Sequence, residues 1–395
     1  MRPISLICVV LSYVAYTYGG SCTLRRSGED DGPAFLSAVK ACSHVTIPKD
    51  TILNISSPLN MTNVKNKHID LRGTIKFNPD IDFWSTNSFS FPFQNETTFW
   101  IFGGTNLLVN GGGAIDGSGQ VWYDAFATNA SLVRPILLTL FQAENVLVED
   151  IHMMNSPQWF NFVNEGKHVV FQSINISSVS TNANRNKNTD GWNTYRSNDV
   201  TIKNSVINNG DDCVAFKPNS TNIFVTELNC NGSHGISVGS LGQFPGVFDV
   251  VENVTASHVR LSNVENGARI KAWAGPNVGS GIVRNITFKH FSETNSDNPL
   301  IIDQCYMTDP TVCAEFPSNT LIQDVTFTDI SGTPSGLEGS VVASLKCSPD
   351  ARCENIVVNN LKLMAPANEG PATYVCQNVN VTGNAAHFFN NCTTT

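Results

Sequence analysis

Between Asn188 and Lys271 the chain gathers its most chemically suggestive side chains: Asn188-Thr189-Asp190-Gly191-Trp192, Gly210-Asp211-Asp212-Cys213, Ser233-His234-Gly235 and Arg269-Ile270-Lys271. Asp190 stands 22 residues before Asp212, and Asp212 stands 22 before His234. Carboxyls brought together can divide labour. Like charge and partial burial raise the pKa of one, which keeps its proton and acts as an acid, while another stays ionised. Such a pair suits glycosidic-bond hydrolysis, where an acid protonates the leaving oxygen and a carboxylate acts on the far side of the anomeric carbon. Arg269 and Lys271 are two apart in a strand-like run, so they share a face and suit the carboxylate of an acidic sugar. Taken singly these groups are ordinary: Gly-Asp-Asp is a common turn former, and a lone histidine usually packs or caps. Their joint occurrence at a constant spacing carries the inference.

The elements that must position them are short and repeated. Asn145-Val-Leu-Val, His168-Val-Val-Phe, Asp199-Val-Thr-Ile, Asn222-Ile-Phe-Val, Asn253-Val-Thr-Ala, Asn285-Ile-Thr-Phe, Asp324-Val-Thr-Phe and Asn355-Ile-Val-Val start 23, 31, 23, 31, 32, 39 and 31 residues apart. β-branched runs opened by turn residues are strands, and recurrence at this period means a solenoid or a propeller. Further short strands such as Val214-Ala215-Phe216 make about three per period, which is a coil of a right-handed parallel β-helix. A propeller, with more equal periods and antiparallel hairpins, ranks second. Coils stack roughly 4.8 Å apart, so residues one coil apart form a column. Asp211 and Asp212 are neighbours and can both face the groove only at a turn or bulge, which Gly210 permits. Asp30 to Val39, with acids before Pro33, is expected to form a helix capping the open end. The expected fold is therefore all-β: a single-domain β-helix over residues 21–395 with a short N-terminal capping helix.

Composition narrows the setting. Of 395 residues only 14% are charged, and the net charge is −9. Nucleic-acid binding through a general basic surface is thereby excluded, because counterion release needs many cations. Met1 to Gly20 has a basic start, an apolar run from Ile4 to Val14 and small residues at its end, the pattern of a signal peptide over residues 1–20. No stretch is long enough to span a membrane, so a secreted, extracellular protein is expected. Removal of that segment takes Cys8 and leaves ten cysteines, an even number that suggests five disulfides between sequence neighbours: Cys22–Cys42, Cys213–Cys230, Cys305–Cys313, Cys347–Cys353 and Cys376–Cys392. Eleven sequons are candidate glycosylation sites: Asn54, Asn60, Asn95, Asn129, Asn175, Asn219, Asn231, Asn253, Asn285, Asn380 and Asn391. No C-x-x-C pair points to zinc.

The four motifs, in this order, resemble the signatures of the family 28 glycoside hydrolases, the polygalacturonases. The longer string from Asn188 to Gln243, with Phe216-Lys217-Pro218-Asn219-Ser220-Thr221 and Cys230-Asn231-Gly232-Ser233-His234-Gly235, is similar to the fungal exo-acting members. The resemblance implies an inverting exo-polygalacturonase that removes terminal α-1,4-linked galacturonic acid from pectate without metal or cofactor. It implies Asp211 as general acid, Asp190 and Asp212 as the pair activating water, and His234 beside them. It assigns Asn188, Arg269, Lys271 and Tyr306 to the substrate. The expected partner is an acidic polysaccharide (pectate or its oligomers), with no nucleic acid or membrane, and the protein is expected to be a monomer. Two features depart from the wider family: Ser233 replaces the first glycine of Gly-His-Gly, and Asn193 stands where an acidic residue is expected. Exo-hydrolysis of galacturonate in rhamnogalacturonan or xylogalacturonan is the alternative; a pectate lyase or a non-catalytic pectin-binding solenoid is more distant. Exo action requires one end of the groove to be closed, for which the aromatic-rich Phe83–Phe102 and the insertions Gly242–Val247 and Ala274–Gly281 are candidates.

Overall fold

The residues that open the repeated units all turn corners. Asn145, His168, Asp199, Asn222, Asn253, Asn285, Asp324 and Asn355 have φ between 51° and 58°, the left-handed region that asparagine and aspartate tolerate best among residues with a Cβ. Each corner starts a strand whose first residue points inward. Val146, Val169, Val200, Ile223, Val254, Ile286, Val325 and Ile356 lie in register, one coil above another, and all are buried. The computed structural model describes residues 19–26 and 28–394, and within them a 23-stranded sheet winds into a right-handed parallel β-helix. The segment read as a signal peptide lies almost wholly outside the described residues.

Low charge follows from this architecture, because each coil fills the interior with apolar columns and leaves polar residues for the corners. Side chains extend the stacking outward: Asn253 Nδ2 donates to Asn222 Oδ1 at 3.0 Å, and Asn285 Nδ2 to Asn253 Oδ1 at 2.7 Å. The asparagine excess is thus structural.

One face carries the motifs. Its parallel strands are Asn161–Asn164, Trp192–Tyr195, Val214–Phe216 and Ile236–Leu241, continued by the ends of Phe248–Trp273 and Ser280–Tyr306. Phe162, Asn193, Ala215, Ser237 and Arg269 form one outward column along it. Both ends of the solenoid are covered. The helix Gly32–Ala41, with a proline in its first turn, buries Phe35 and Val39 over the first coils, and Phe35 packs edge-on to Trp100 at 5.6 Å. At the other end a short 3-10 turn, Ala386–Phe389, buries Phe389. All five neighbour disulfides are formed, with Cα–Cα distances from 4.6 to 6.1 Å.

The regular stacking is interrupted on the rim of the motif-bearing face. Loops at 178–191, 242–247, 274–279 and 307–319 account for the longer coils. A further insertion comprises the helix Ile81–Asn87 and a small sheet of Phe89–Ser90, Thr97–Thr98 and Pro135–Ile136.

Candidate active site

Asp211 and Asp212 occupy the turn between the strands Asn198–Asn208 and Val214–Phe216. The turn is held from inside: Asn209 Nδ2 donates to the carbonyls of Thr189, Asp211 and Asp212 at 2.8, 3.0 and 3.0 Å. The Cys213–Cys230 bridge begins at the next residue. Asp190 enters one coil earlier, and one oxygen from each of Asp190, Asp211 and Asp212 lies within 4.8 Å of the others. The 22-residue spacing therefore does bring the carboxyls together.

Their surroundings differ. Asp212 is buried and fully engaged: Oδ1 accepts from Arg269 at 2.7 Å and Ser237 Oγ at 2.7 Å, and Oδ2 accepts from Lys271 at 2.7 Å. Burial alone would raise its pKa, but Lys271 and Arg269 hold it far below the usual carboxylate range. Both cations expected to await a sugar carboxylate are thus already paired with Asp212. Asp211 also feels burial, yet a hydrogen bond from His234 keeps it low; His234 Nδ1 lies 3.3 Å from Asp211 Oδ1, and Nε2 lies 3.2 Å from Glu265 Oε2. Burial pulls the imidazole down, but these acids outweigh it and raise His234 to about 9. Asp190, 2% exposed, has no hydrogen-bonded cation, and the charges of Lys217 and Lys271 only partly offset its burial. Among the described residues no protein donor reaches its carboxyl, and burial followed by the charge of Asp211 pushes it well above its ordinary value. Of the three carboxyls Asp190 is the one pushed toward holding a proton, whereas the family resemblance assigns the acid to Asp211.

The remaining expected residues converge on the same groove, of about 920 Å³. Asn188 Nδ2 donates to Asp211 Oδ2 at 3.3 Å. Tyr306 stands edge-on to Trp273 at 5.6 Å, with the Lys271 ammonium 5.1 Å from its ring centroid. Among the sequons, Asn60, Asn95, Asn129, Asn175, Asn253, Asn285, Asn380 and Asn391 are exposed, and Asn54, Asn219 and Asn231 are half-buried. Asn193 is buried with both side-chain polar atoms unpartnered.

Several residues in the groove were not anticipated. Arg134, 2% exposed, donates to Asn188 Oδ1 and to the carbonyls of Lys187 and Pro157 at 2.7, 2.7 and 2.8 Å, fixing the amide that in turn faces Asp211. Glu96 is joined to Gln158 and buried; burial pushes its carboxyl up to about 8 against the pull of Lys217 and Arg134. Lys217 lines the groove beside Trp159. Arg134 and Glu96 belong to segments outside the repeat, where spacing gives no signal.

One end of the groove is roofed. Phe93 stacks on Tyr195 with ring centroids 4.0 Å apart, and Phe91 meets Phe162 edge-on at 5.8 Å. Beyond them Gln94 Nε2 donates to Gln243 Oε1 at 2.7 Å across 149 residues of sequence. Of the three candidate closing segments, Phe83–Phe102 and Gly242–Val247 meet at this contact.

Comparison with known proteins gives concordant findings. The profile described as "Glycosyl hydrolases family 28" matches residues 40–387. An exopolygalacturonase of Cochliobolus carbonum is 43% identical over 392 residues, covering 95% of this chain and 87% of its own. A probable exopolygalacturonase X of Aspergillus fumigatus is 41% identical over 366 residues, covering 89% and 84%. The solved endo-xylogalacturonan hydrolase from Aspergillus tubingensis superposes with a TM-score of 0.84 at 32% identity, covering 92% of this chain and 99% of that one.

Proposed function

The chain belongs to family 28 of the glycosyl hydrolases and is a glycoside hydrolase; from that premise we propose that it is a secreted, inverting exo-polygalacturonase acting as a monomer on the ends of homogalacturonan chains. The observation that carries the exo reading is the roof of the groove: Phe91 and Phe93 cover Phe162 and Tyr195 on the earlier coils, and Gln94 reaches Gln243 at 2.7 Å. A polymer then enters only by its end. The 41–43% identical relatives described as exopolygalacturonases support the same reading.

The residues divide the chemistry as follows. Asp190 and Asp211 share one proton as a coupled pair. An anionic sugar entering the groove raises both carboxyls and favours retention of that proton. Its passage from Asp190 to Asp211 arms both steps at once: Asp211 becomes the acid facing the glycosidic oxygen, and Asp190 becomes the base. As the C–O bond breaks, Asp211 gives its proton to the leaving oxygen. A water held by Asp190 and Asp212 attacks the anomeric carbon from the other face and yields its proton to Asp190. His234, whose protonated form its two carboxylate neighbours favour, steadies the Asp211 carboxylate left by that transfer, and the proton now on Asp190 restores the starting state. Asn188, Arg269, Lys271 and Tyr306 position the galacturonate.

Inversion rests on more than the distance between carboxyls. Inverting pairs are usually about 6.5–9.5 Å apart and retaining pairs about 5–5.5 Å, and the closest oxygens here fall within 4.8 Å. Inversion is what the family resemblance implies; both oxygens of Asp212 are already bonded to Arg269, Ser237 and Lys271, so the choice between activating a water and attacking directly falls on Asp190. NMR of the nascent product anomer decides the matter, and a retained α-anomer overturns the inverting assignment.

A second reading has one observation behind it: the 32% identical Aspergillus tubingensis structure is described as an endo-xylogalacturonan hydrolase. Digests of hexagalacturonate, xylogalacturonan and rhamnogalacturonan oligomers, sampled early, test both points. Monomer as the sole early product from hexagalacturonate, at the highest rate of the three substrates, is the expected result. Early dimers or trimers reject exo action, and a faster xylose-bearing substrate rejects the preference.

A further inference from the structure

Lys217 is the cation in the groove that these steps leave unused. It follows the strand Val214–Phe216, lines the groove and is 6% exposed. Arg269 and Lys271 are both committed to Asp212. The Lys217 ammonium, by contrast, makes no hydrogen bond and no ion pair among the described residues; its one fixed contact is the Trp159 ring, with the centroid 5.2 Å away. The ammonium faces the groove with three donors that no protein acceptor takes up, so an occupant of the groove can complete them.

The neighbouring groups fit the same kind of occupant. Asp190 and Asp212 face Lys217 from the catalytic side, Glu96 from the roof, and the Arg134 cation lies near Glu96. Glu96 is 7% exposed and bonded to Gln158. Burial keeps its carboxyl neutral below about pH 8, so it offers no rival anion and has an O–H to donate. A cation with free donors beside a neutral acid, at the roofed end of the groove, is a receptor for a carboxylate.

We propose that Lys217, with Glu96 and Gln158, binds the carboxylate of the terminal galacturonate at the closed end of the groove. The acid group of the terminal sugar is then read by Lys217, a cation not hydrogen-bonded to Asp212, while Arg269 and Lys271 meet the substrate with Asp212 already between them. The inference rests on the exo reading above.

The test compares trigalacturonate with the same trimer carrying a methyl ester only on its terminal sugar. Loss of a buried charge partner leads us to expect a wild-type kcat/KM preference for the free acid of about 30-fold or more. Lys217→Met is expected to bring that ratio close to one, mainly through KM, while galacturonate monomer remains the first product from the free acid. Lys217→Arg is expected to retain most of the preference. A lysine that only tunes Asp190 and Asp212 would shift the pH profile and leave the acid-to-ester ratio untouched. An unchanged ratio in Lys217→Met overturns the proposal, and so does a wild-type enzyme that cuts acid and ester equally, a result that stands even where Lys217→Met fails to fold. Early release of longer fragments by the wild type would reject exo action, an outcome separate from the acid-to-ester ratio.

Discussion

Replacing Glu96 by glutamine should make the protein more resistant to alkaline conditions. Burial raises the folded carboxyl from 4.5 to about 8, so between those values the unfolded chain has lost a proton that the folded chain still holds. By linkage, stability falls as pH rises through that window, and below pH 4.5 the contribution is complete. A shift of about 3.5 units at ~1.36 kcal/mol per unit gives a ceiling of about 5 kcal/mol. For a chain of this size the unfolding entropy is ~0.8 kcal/mol/K, so the ceiling corresponds to ~6 °C in Tm. Glutamine cannot titrate, yet its carbonyl can still accept from Gln158. Glu293 and Asp190, also raised by burial, impose the same slope on both proteins, so the difference between the two curves is the quantity to read. Melting followed by circular dichroism from pH 4.5 to 8 should show curves that nearly coincide at the acidic end and separate in favour of Glu96→Gln at the alkaline end. Parallel curves across the window would refute the reasoning.

The other outcomes concern the catalytic groups and the surface. Asp211→Asn should lower kcat by about 10²–10⁴-fold, the range for loss of a general acid, with an unchanged far-ultraviolet spectrum; an active, folded mutant would remove Asp211 from that role. Asp212→Asn leaves Arg269 and Lys271 buried without their anion and should cost about 3–5 kcal/mol of stability, so a melting temperature equal to the wild type's would contradict the ion-pair account. Replacing both Cys213 and Cys230 by serine opens a bridge spanning 17 residues and should cost about 3 kcal/mol, with a loss of activity larger than for the Cys22–Cys42 pair; equal activity losses would separate this bridge from the catalytic turn. Glycopeptide mass spectrometry should find Asn60, Asn129 and Asn175 occupied more often than Asn253 and Asn285, whose amides donate to the preceding coil; the reverse order would show that the corner bonds do not limit modification.

How much of this could be read from the chain depends on what each residue answers to. The corner asparagines and aspartates are governed by a local rule, the left-handed φ at the start of each strand, so the repeat was legible and every expected unit opens at a corner. The disulfides were legible because pairing over short loops is local too. The convergence of Asp190, Asp211 and Asp212 followed from coil spacing. Which of them keeps its proton did not, because that depends on which has cationic neighbours: Asp212 has Arg269 and Lys271, Asp211 has His234, and Asp190 has none at bonding distance. The roof was harder still. Its aromatic residues marked Phe83–Phe102 as notable, but the contact between Gln94 and Gln243 joins two segments outside the repeat. Arg134 and Glu96 reach the groove in the same irregular way, and no periodicity could have announced them.

The loops that lengthen certain coils lie along the rim of the face that carries the catalytic turn, while the opposite strands keep their register. Loop length is thermodynamically cheap, at about 0.6 kcal/mol per doubling, and solenoid stability depends mainly on contacts between adjacent coils. Scaffold and specificity are consequently separable here. The exposed parts of these segments, such as 244–247, can be exchanged with those of relatives, whereas Phe91, Phe93 and Phe99 are packed into the stack and must stay. For the engineer, this makes the mode of attack on a polysaccharide a replaceable part; for natural selection, it offers a way to vary specificity on a single inherited framework.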